Sequence, residues 1–135
     1  MNQLYPPNIA GTLPSFYKSE EGTAAVAVPF VINKTVKLAD ISGFNLRLKT
    51  TNTDILFGNV STQFWSQDPA NPIAYFTLPA QIVNRLSIGT FYKAQIAFIN
   101  TYEEIGYYSS VGIIKYTAKP TVEISDFSLN EMNSG

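Results

Sequence analysis

Along most of its length the chain alternates apolar and polar residues in short stretches, separated by Gly, Pro, Asn and Ser. The clearest stretch is ISGFNLRLKT (41–50), in which Phe44, Leu46 and Leu48 fall on one side and Asn45, Arg47 and Lys49 on the other. Successive strand residues point to opposite faces, so this pattern predicts a strand with one face on a core and one in water. TAAVAVPFVINKTV (23–36) predicts another strand. Pro29 interrupts it and, having no N–H to donate, belongs at a sheet edge or a bulge. TNTD (51–54) reads as a turn, ILFGNVSTQFW (55–65) as a strand with Gly58 as a candidate bulge, SQDPANP (66–72) as a loop, and IAYFTLP (73–79) as a strand closed by Pro79.

AQIVNRL (80–86) is the one segment with a helical option, expected as a single short turn that drops Leu86 into the core. LSIGTFYKAQIAFIN (86–100) follows. Gly89 supplies the positive φ of a tight turn. Tyr92, Ala94, Ile96 and Phe98 then share one face, with Lys93 and Gln95 opposite. A Tyr in this place can bury its ring and return its hydroxyl to upstream backbone, the tyrosine corner of Greek-key sandwiches. Leu86, Gly89, Tyr92 and Phe98 are therefore the expected structural keys. EEIG (103–106) predicts a hairpin and YYSSVGIIKYT (107–117) the returning strand. About seven short strands, turn signals at about ten-residue spacing and no long helix predict an all-β, antiparallel sandwich. Parallel α/β folds need helical crossovers, for which the chain has no length.

The segments divide naturally. Residues 1–22, with Pro6, Pro7, Gly11 and Pro14, form an extended N-terminal arm and first edge strand; 23–120 form the sandwich. Residues 121–135 restart a strand-like alternation in TVEISDFSLN and read as a linker or the start of a following domain, with a disordered tail as the plainer alternative. On the first reading this is the N-terminal piece of a longer polypeptide.

Composition narrows the chemistry. The 135 residues suit one domain, and 45% apolar content is enough for a core. There is no Cys and no His, so disulfides, thiolate metal sites, Cys nucleophiles, the usual Ser triad and most zinc sites are excluded. Such a chain is compatible with cytosolic synthesis. Net charge is −1, and the nine basic residues form no run, which argues against nucleic acid and anionic membranes as partners. No apolar stretch approaches the ~18 residues of a membrane span, and MNQLYPPNIAGTLP is polar and proline-broken, unlike a signal peptide. The carboxylates sit mostly in turns, with no spacing that brings two together across a cleft and too few oxygens in TNTD for calcium. No catalytic residue, cofactor or metal is expected.

Two resemblances add to this. Leu86, Gly89-Thr90 and Tyr92, followed by Ala94, Ile96, Phe98 and Asn100, resemble the penultimate strand of a fibronectin type III domain, and GYYSSVGIIKYTAKP resembles its last strand, closing at Thr117. The family's early-strand Trp is absent, the only Trp being Trp65. The resemblance implies an Ig/fibronectin III-like β-sandwich. The segments YPPNIAGTLPSFY, VAVPFVINKTV, ISGFNLRLKT and LSIGTFYKAQIAFIN through TVEI are also similar to the start of large structural proteins of tailed gut bacteriophages and prophages. That similarity implies a tail-associated virion protein, made in the host cytoplasm, with other virion proteins or copies of itself as partners.

Adjacent aromatic pairs are the candidate contacts: Phe64-Trp65, Tyr107-Tyr108 and Phe16-Tyr17. On a strand one member of each pair must face away from the core. Phe64, Trp65, Tyr107 and Tyr108 are the candidate interaction residues, open between packing under the arm and touching a protein partner, with sugar stacking behind both. The expected role is a non-enzymatic structural or assembly module; the alternative is a carbohydrate- or receptor-binding adhesion module. The arm could cover its own sheet edge or pair with a neighbour's.

Overall fold

A computed structural model describes residues 4–9, 12–33, 35–66, 68 and 70–120. The strand-like restart expected in 121–135 lies outside the described residues. Among those residues the chain forms β1 (Asn8–Ile9), β2 (Phe16–Tyr17), β3 (Ala24–Val31), β4 (Ile41–Thr50), β5 (Leu56–Thr62), β6 (Ile73–Leu78), β7 (Thr90–Asn100) and β8 (Gly112–Thr117), with a 3-10 turn (Leu38–Asp40) before β4 and one α-helical turn, α1 (Ala80–Val83), after β6. Two sheets stack as an all-β sandwich, one in the order β1-β3-β6 and the other β2-β8-β7-β4-β5. Eight strands replace the seven expected because the arm contributes two. The pairing is antiparallel except for β2 on β8, which is parallel.

The alternation in the sequence maps onto the core. Val26, Val28 and Phe30 of β3 and Phe76 and Leu78 of β6 face Phe44, Leu46 and Leu48 of β4 and Tyr92, Ile96 and Phe98 of β7, all buried. Phe30 from the small sheet meets Phe44 and Phe98 from the large one at ring-centroid distances of 4.9 and 6.1 Å, and Phe44 and Phe98 lie 5.3 Å apart. Burying each such ring stabilises by ~2–3 kcal/mol, so this trio is a seam joining the two sheets.

Both lateral edges are partly covered by chain that changes sheets. On one side β1 pairs with β3 and β2 then pairs with β8. On the other, β5 pairs with β4, after which Tyr75 N–H donates to Phe64 O (3.0 Å) and Ser66 N–H to Ile73 O (2.7 Å), tying residues 64–66 to β6. This covers backbone that would otherwise template aggregation. Pro29 fits because Phe30 N–H points to β6, donating to Pro72 O. Position 29 therefore points to the opposite edge, which β1 reaches only at Phe30 and Val31.

The expected bulge lies beside Gly58: Leu48 pairs with Gly58 and Lys49 with Leu56, leaving Phe57 as the extra residue. Its ring turns onto Tyr92, edge to face at 5.5 Å. The returning strand starts five residues later than expected, at Gly112. Before it, Ser109 interrupts regular pairing. Its N–H donates to Ile96 O (2.8 Å), while its Oγ, in place of a carbonyl, accepts from Ile96 N–H (3.1 Å).

Candidate functional site

Strands β3, β5 and β7 finish at the same end of the sandwich, where β4, β6 and β8 begin. The connections 32–40, 63–72 and 101–111 therefore gather there, and loops positioned by a rigid sandwich are where binding residues concentrate. The arm arrives at this end too, since Leu4 O accepts from Tyr107 N–H (3.3 Å).

Three of the structural keys, Leu86, Gly89 and Tyr92, lie at the opposite end, and Phe98, two residues before the end of β7, lies toward the loop end. Tyr92 is 2% exposed, and its Oη accepts from Ser87 N–H (2.9 Å). Gly89 holds φ at 85°, and its N–H donates to Tyr116 O (2.7 Å). Leu86 is half-buried against the core and Phe98 is fully buried.

The four candidate contact residues separate into two kinds. Phe64 is 77% exposed and Tyr107 58%. Trp65 and Tyr108 are half-buried and engaged within the domain, Trp65 turned onto the core and Tyr108 laid on the outer face of the large sheet. The Trp65 ring packs on Phe44 (5.6 Å) and Phe30 (6.3 Å), extending the aromatic seam to the loop end. Tyr108 lies under the Arg47 guanidinium, 3.7 Å from its ring centroid, and its hydroxyl donates to Asn45 Oδ1. In the third pair Phe16 is buried and Tyr17 exposed.

Tyr108 reveals a feature that alternation could not. The polar side of β4 is not simply wet: Asn45 is 3% exposed. Its Nδ2 donates to Asn59 Oδ1 (2.6 Å) and Ser61 Oγ (3.0 Å). Arg47 Nε donates to Gln95 Oε1 (3.0 Å), and Gln95 Nε2 to Ser109 O (2.8 Å). This polar network straps residues 107–111 across the outer face of the large sheet. No buried side-chain N or O among the described residues lacks a partner, and a fully satisfied network of this kind rigidifies what it holds.

Two depressions flank the loop end. One, of about 400 Å³, is lined by Val31, Ile32, Val36, Leu38, Trp65 and Pro72. The other is an open groove of about 560 Å³ where the chain leaves β5, with Ser42, Thr62, Gln63, Phe64, Glu103 and Ile105 among its lining. Its floor depends on Gly43, where a Cβ would come within 2.6 Å of Thr62 O. Glu103 holds φ at 63° in the turn after β7, a left-handed conformation that costs an L-residue ~1 kcal/mol. Sequence patterns singled out neither Gln63 nor Glu103; only the dipeptide Phe64-Trp65 pointed here.

The acidic residues are spread over turns. Lys93, hydrogen-bonded to Asp54 at 3.1 Å, holds that exposed carboxyl below its usual range, and Lys119 pairs with Glu20 at 3.1 Å. Among the described residues no group of three or more Asp and Glu could hold a metal ion, and no helix is long and apolar enough to cross a membrane.

No family model and no curated protein matches the chain. Among solved structures, a β-1,2-glucanase from Parabacteroides distasonis is similar at 9% identity and a TM-score of 0.44, the match covering 93% of this chain but only 15% of the glucanase. The sensor domain of the anti-sigma factor RsgI4 in Pseudobacteroides cellulosolvens is similar at 18% identity and a TM-score of 0.35, covering 87% of this chain and 77% of that one. At such scores and identities the likeness carries no function across.

Proposed function

We propose that the chain is a non-enzymatic assembly module of a bacteriophage virion, tail-associated, that works by burying its aromatic loop end against copies of itself or neighbouring virion proteins. The observation that supports the contact is the pairing of Tyr107 with the arm. Tyr107 and Tyr5 are 58% and 59% exposed, and their backbones are joined by the Tyr107 N–H to Leu4 O bond. Tyr102, in the turn after β7, is 63% exposed. Tyr is enriched at interface centres, and a ring on hydrogen-bonded backbone loses little freedom when covered. The virion assignment draws on the sequence resemblance, and the fibronectin III-like reading on the strand order and the Tyr92 corner.

Two measurements test this. Mass spectrometry of gradient-purified tailed-phage particles should find peptides of this chain at fixed stoichiometry, and their absence overturns the virion reading. Sedimentation velocity with the neighbouring virion proteins, and with the chain alone, should show association that Tyr5→Ser with Tyr107→Ser weakens. Association indifferent to both substitutions overturns the proposed surface. A second reading, an adhesion module that binds carbohydrate or a receptor, gains support from one observation, the open groove beside Phe64.

A further inference from the structure

We infer that this groove is a subsite for a neutral saccharide, stacked on Phe64 and held by Gln63 and Glu103. The inference rests on the adhesion reading and narrows it to one ligand class and one set of residues.

The argument starts from Phe64. Its exposure, 77%, is the highest among the exposed large hydrophobics of the described residues, yet its backbone is fixed on both sides. Phe64 N–H donates to Thr62 Oγ1 (3.0 Å), and Phe64 O accepts from Tyr75 N–H (3.0 Å). A large apolar ring held in water on rigid backbone is a platform, and the apolar face of a pyranose ring is a flat partner for it. Trp65, the more obvious sugar-stacking residue in the sequence, is committed to the core instead.

The groove beside the ring has the chemistry of a polyol site. At about 560 Å³ it falls within the size range of small-ligand pockets. Among the described residues the side chains of Gln63 and Glu103 make no hydrogen bond or ion pair, and each carries polar atoms suited to a hydroxyl-rich ligand. Thr62 Oγ1 and Ser42 Oγ, already engaged with the protein, keep capacity for a further bond. Among the described residues no Lys or Arg lines the groove, and its one ionised group is the Glu103 carboxylate. A phosphate, sulfate or sialic acid would meet a like charge with no cation among the described lining residues to offset it, whereas a neutral sugar offers hydroxyls that donate to Glu103 and accept from the Gln63 amide.

The floor is built to stay open. Gly43 keeps β4 and β5 at a separation no side chain would permit, and Ser42 Oγ donates to Asn100 O (2.7 Å), tying the start of β4 to the end of β7. The turn carrying Glu103 is pinned by Asn100, whose Oδ1 accepts from Tyr102 N–H (2.9 Å) and Glu104 N–H (3.0 Å). Phe64 and Glu103 thus stand on backbone ordered before a ligand arrives, which lowers the cost of binding.

The test is an amide-resolved NMR titration of the full chain with cellotetraose, mannotetraose and tetra-N-acetylchitotetraose as neutral probes and with 3′-sialyllactose and a heparin tetrasaccharide as anionic ones. At least one neutral probe should shift the Gly43, Thr62, Gln63, Phe64 and Glu103 amides with saturation. Phe64→Ala should weaken that binding about tenfold or more, as expected for a central aromatic anchor, with the rest of the spectrum unchanged because the ring is outside the core. Glu103→Gly, which relieves the positive φ, should weaken binding while raising or preserving stability, separating a ligand role from a folding one. Binding of anionic probes alone, saccharide shifts away from the groove, or neutral binding indifferent to Phe64→Ala overturns the subsite while leaving the adhesion reading standing. No shift with any probe at 10 mM, roughly where affinities become too weak to matter, overturns the subsite and removes that reading's support for carbohydrate.

Discussion

Tyr92→Phe removes one oxygen from the interior and tests the corner at the base of the sandwich. The ring and its edge-to-face contact with Phe57 at 5.5 Å survive the change. What is lost is the bond accepted from Ser87 N–H at 2.9 Å. A neutral hydrogen bond contributes about 1 kcal/mol net, and an orphaned buried donor costs more. Ser87 is exposed, so water can reach the freed amide and the smaller figure applies. For a domain of this length about 1 kcal/mol corresponds to a fall in Tm of roughly 3–5 °C. Tyr92→Ala also empties the ring's volume and should cost about 3–5 kcal/mol, a large share of the roughly 5–15 kcal/mol that holds a domain together. Urea unfolding gives the two losses. Amide hydrogen exchange gives the local signature: Ser87 protection should drop in Tyr92→Phe, while Gly89, bonded to Tyr116 O, should keep its protection relative to global stability. Equal losses in the two variants, or unchanged protection at Ser87, would refute the reasoning.

Three further outcomes follow from the same structure. Gly43→Ala should destabilise by about 1–3 kcal/mol because its Cβ meets backbone at 2.6 Å, whereas Gly89→Ala, with φ 85° and open space around it, should cost only about 1 kcal/mol of backbone strain; the reverse order in urea would contradict the geometry. Tyr108→Phe and Asn45→Ala should each cost about 1–2 kcal/mol, and the double variant less than the sum because the two share one bond; additive losses in a double-mutant cycle would show that they do not. Burial, with Tyr92 adding to it, raises the Tyr116 pKa above its ordinary 10.0, so the folded state holds the proton more tightly than the unfolded one. That contribution is complete below about pH 10 and is lost as pH rises through the folded value. Alkaline unfolding should therefore be weaker in Tyr116→Phe, and identical pH profiles would count against the assignment.

Much of the fold was legible because burial on one face forces alternation. Ile41–Thr50 is a strand over the whole of the expected range, Gly89 takes the positive φ its turn requires, and Phe57 bulges beside Gly58. The arm was legible only as extended backbone. Its division into β1 on one sheet and β2 on the other depends on partners more than ninety residues away in the case of β8. The late start of β8 was hidden because Ser109 replaces a ladder bond with its side chain, an option no apolar pattern records. The aromatic pairs illustrate the limit. Period two required one ring of each pair to face out, and Phe64 and Tyr107 do so. Which ring that would be was open, because the strand register beyond β5 is set by residues 64–66 crossing to β6.

The sequence alone determined an all-β sandwich with a buried Tyr92 and no cysteine or histidine chemistry. Those follow from composition and from local rules of side-chain direction and turn geometry, which act over a few residues. Only the tertiary structure decided that Asn45 is buried on the polar face, that Trp65 belongs to the core, and that Gln63, Phe64 and Glu103 share one groove. Each of these depends on contacts between segments far apart in the chain. A polar residue's environment is set by what folds over it, and neighbouring letters do not carry that information.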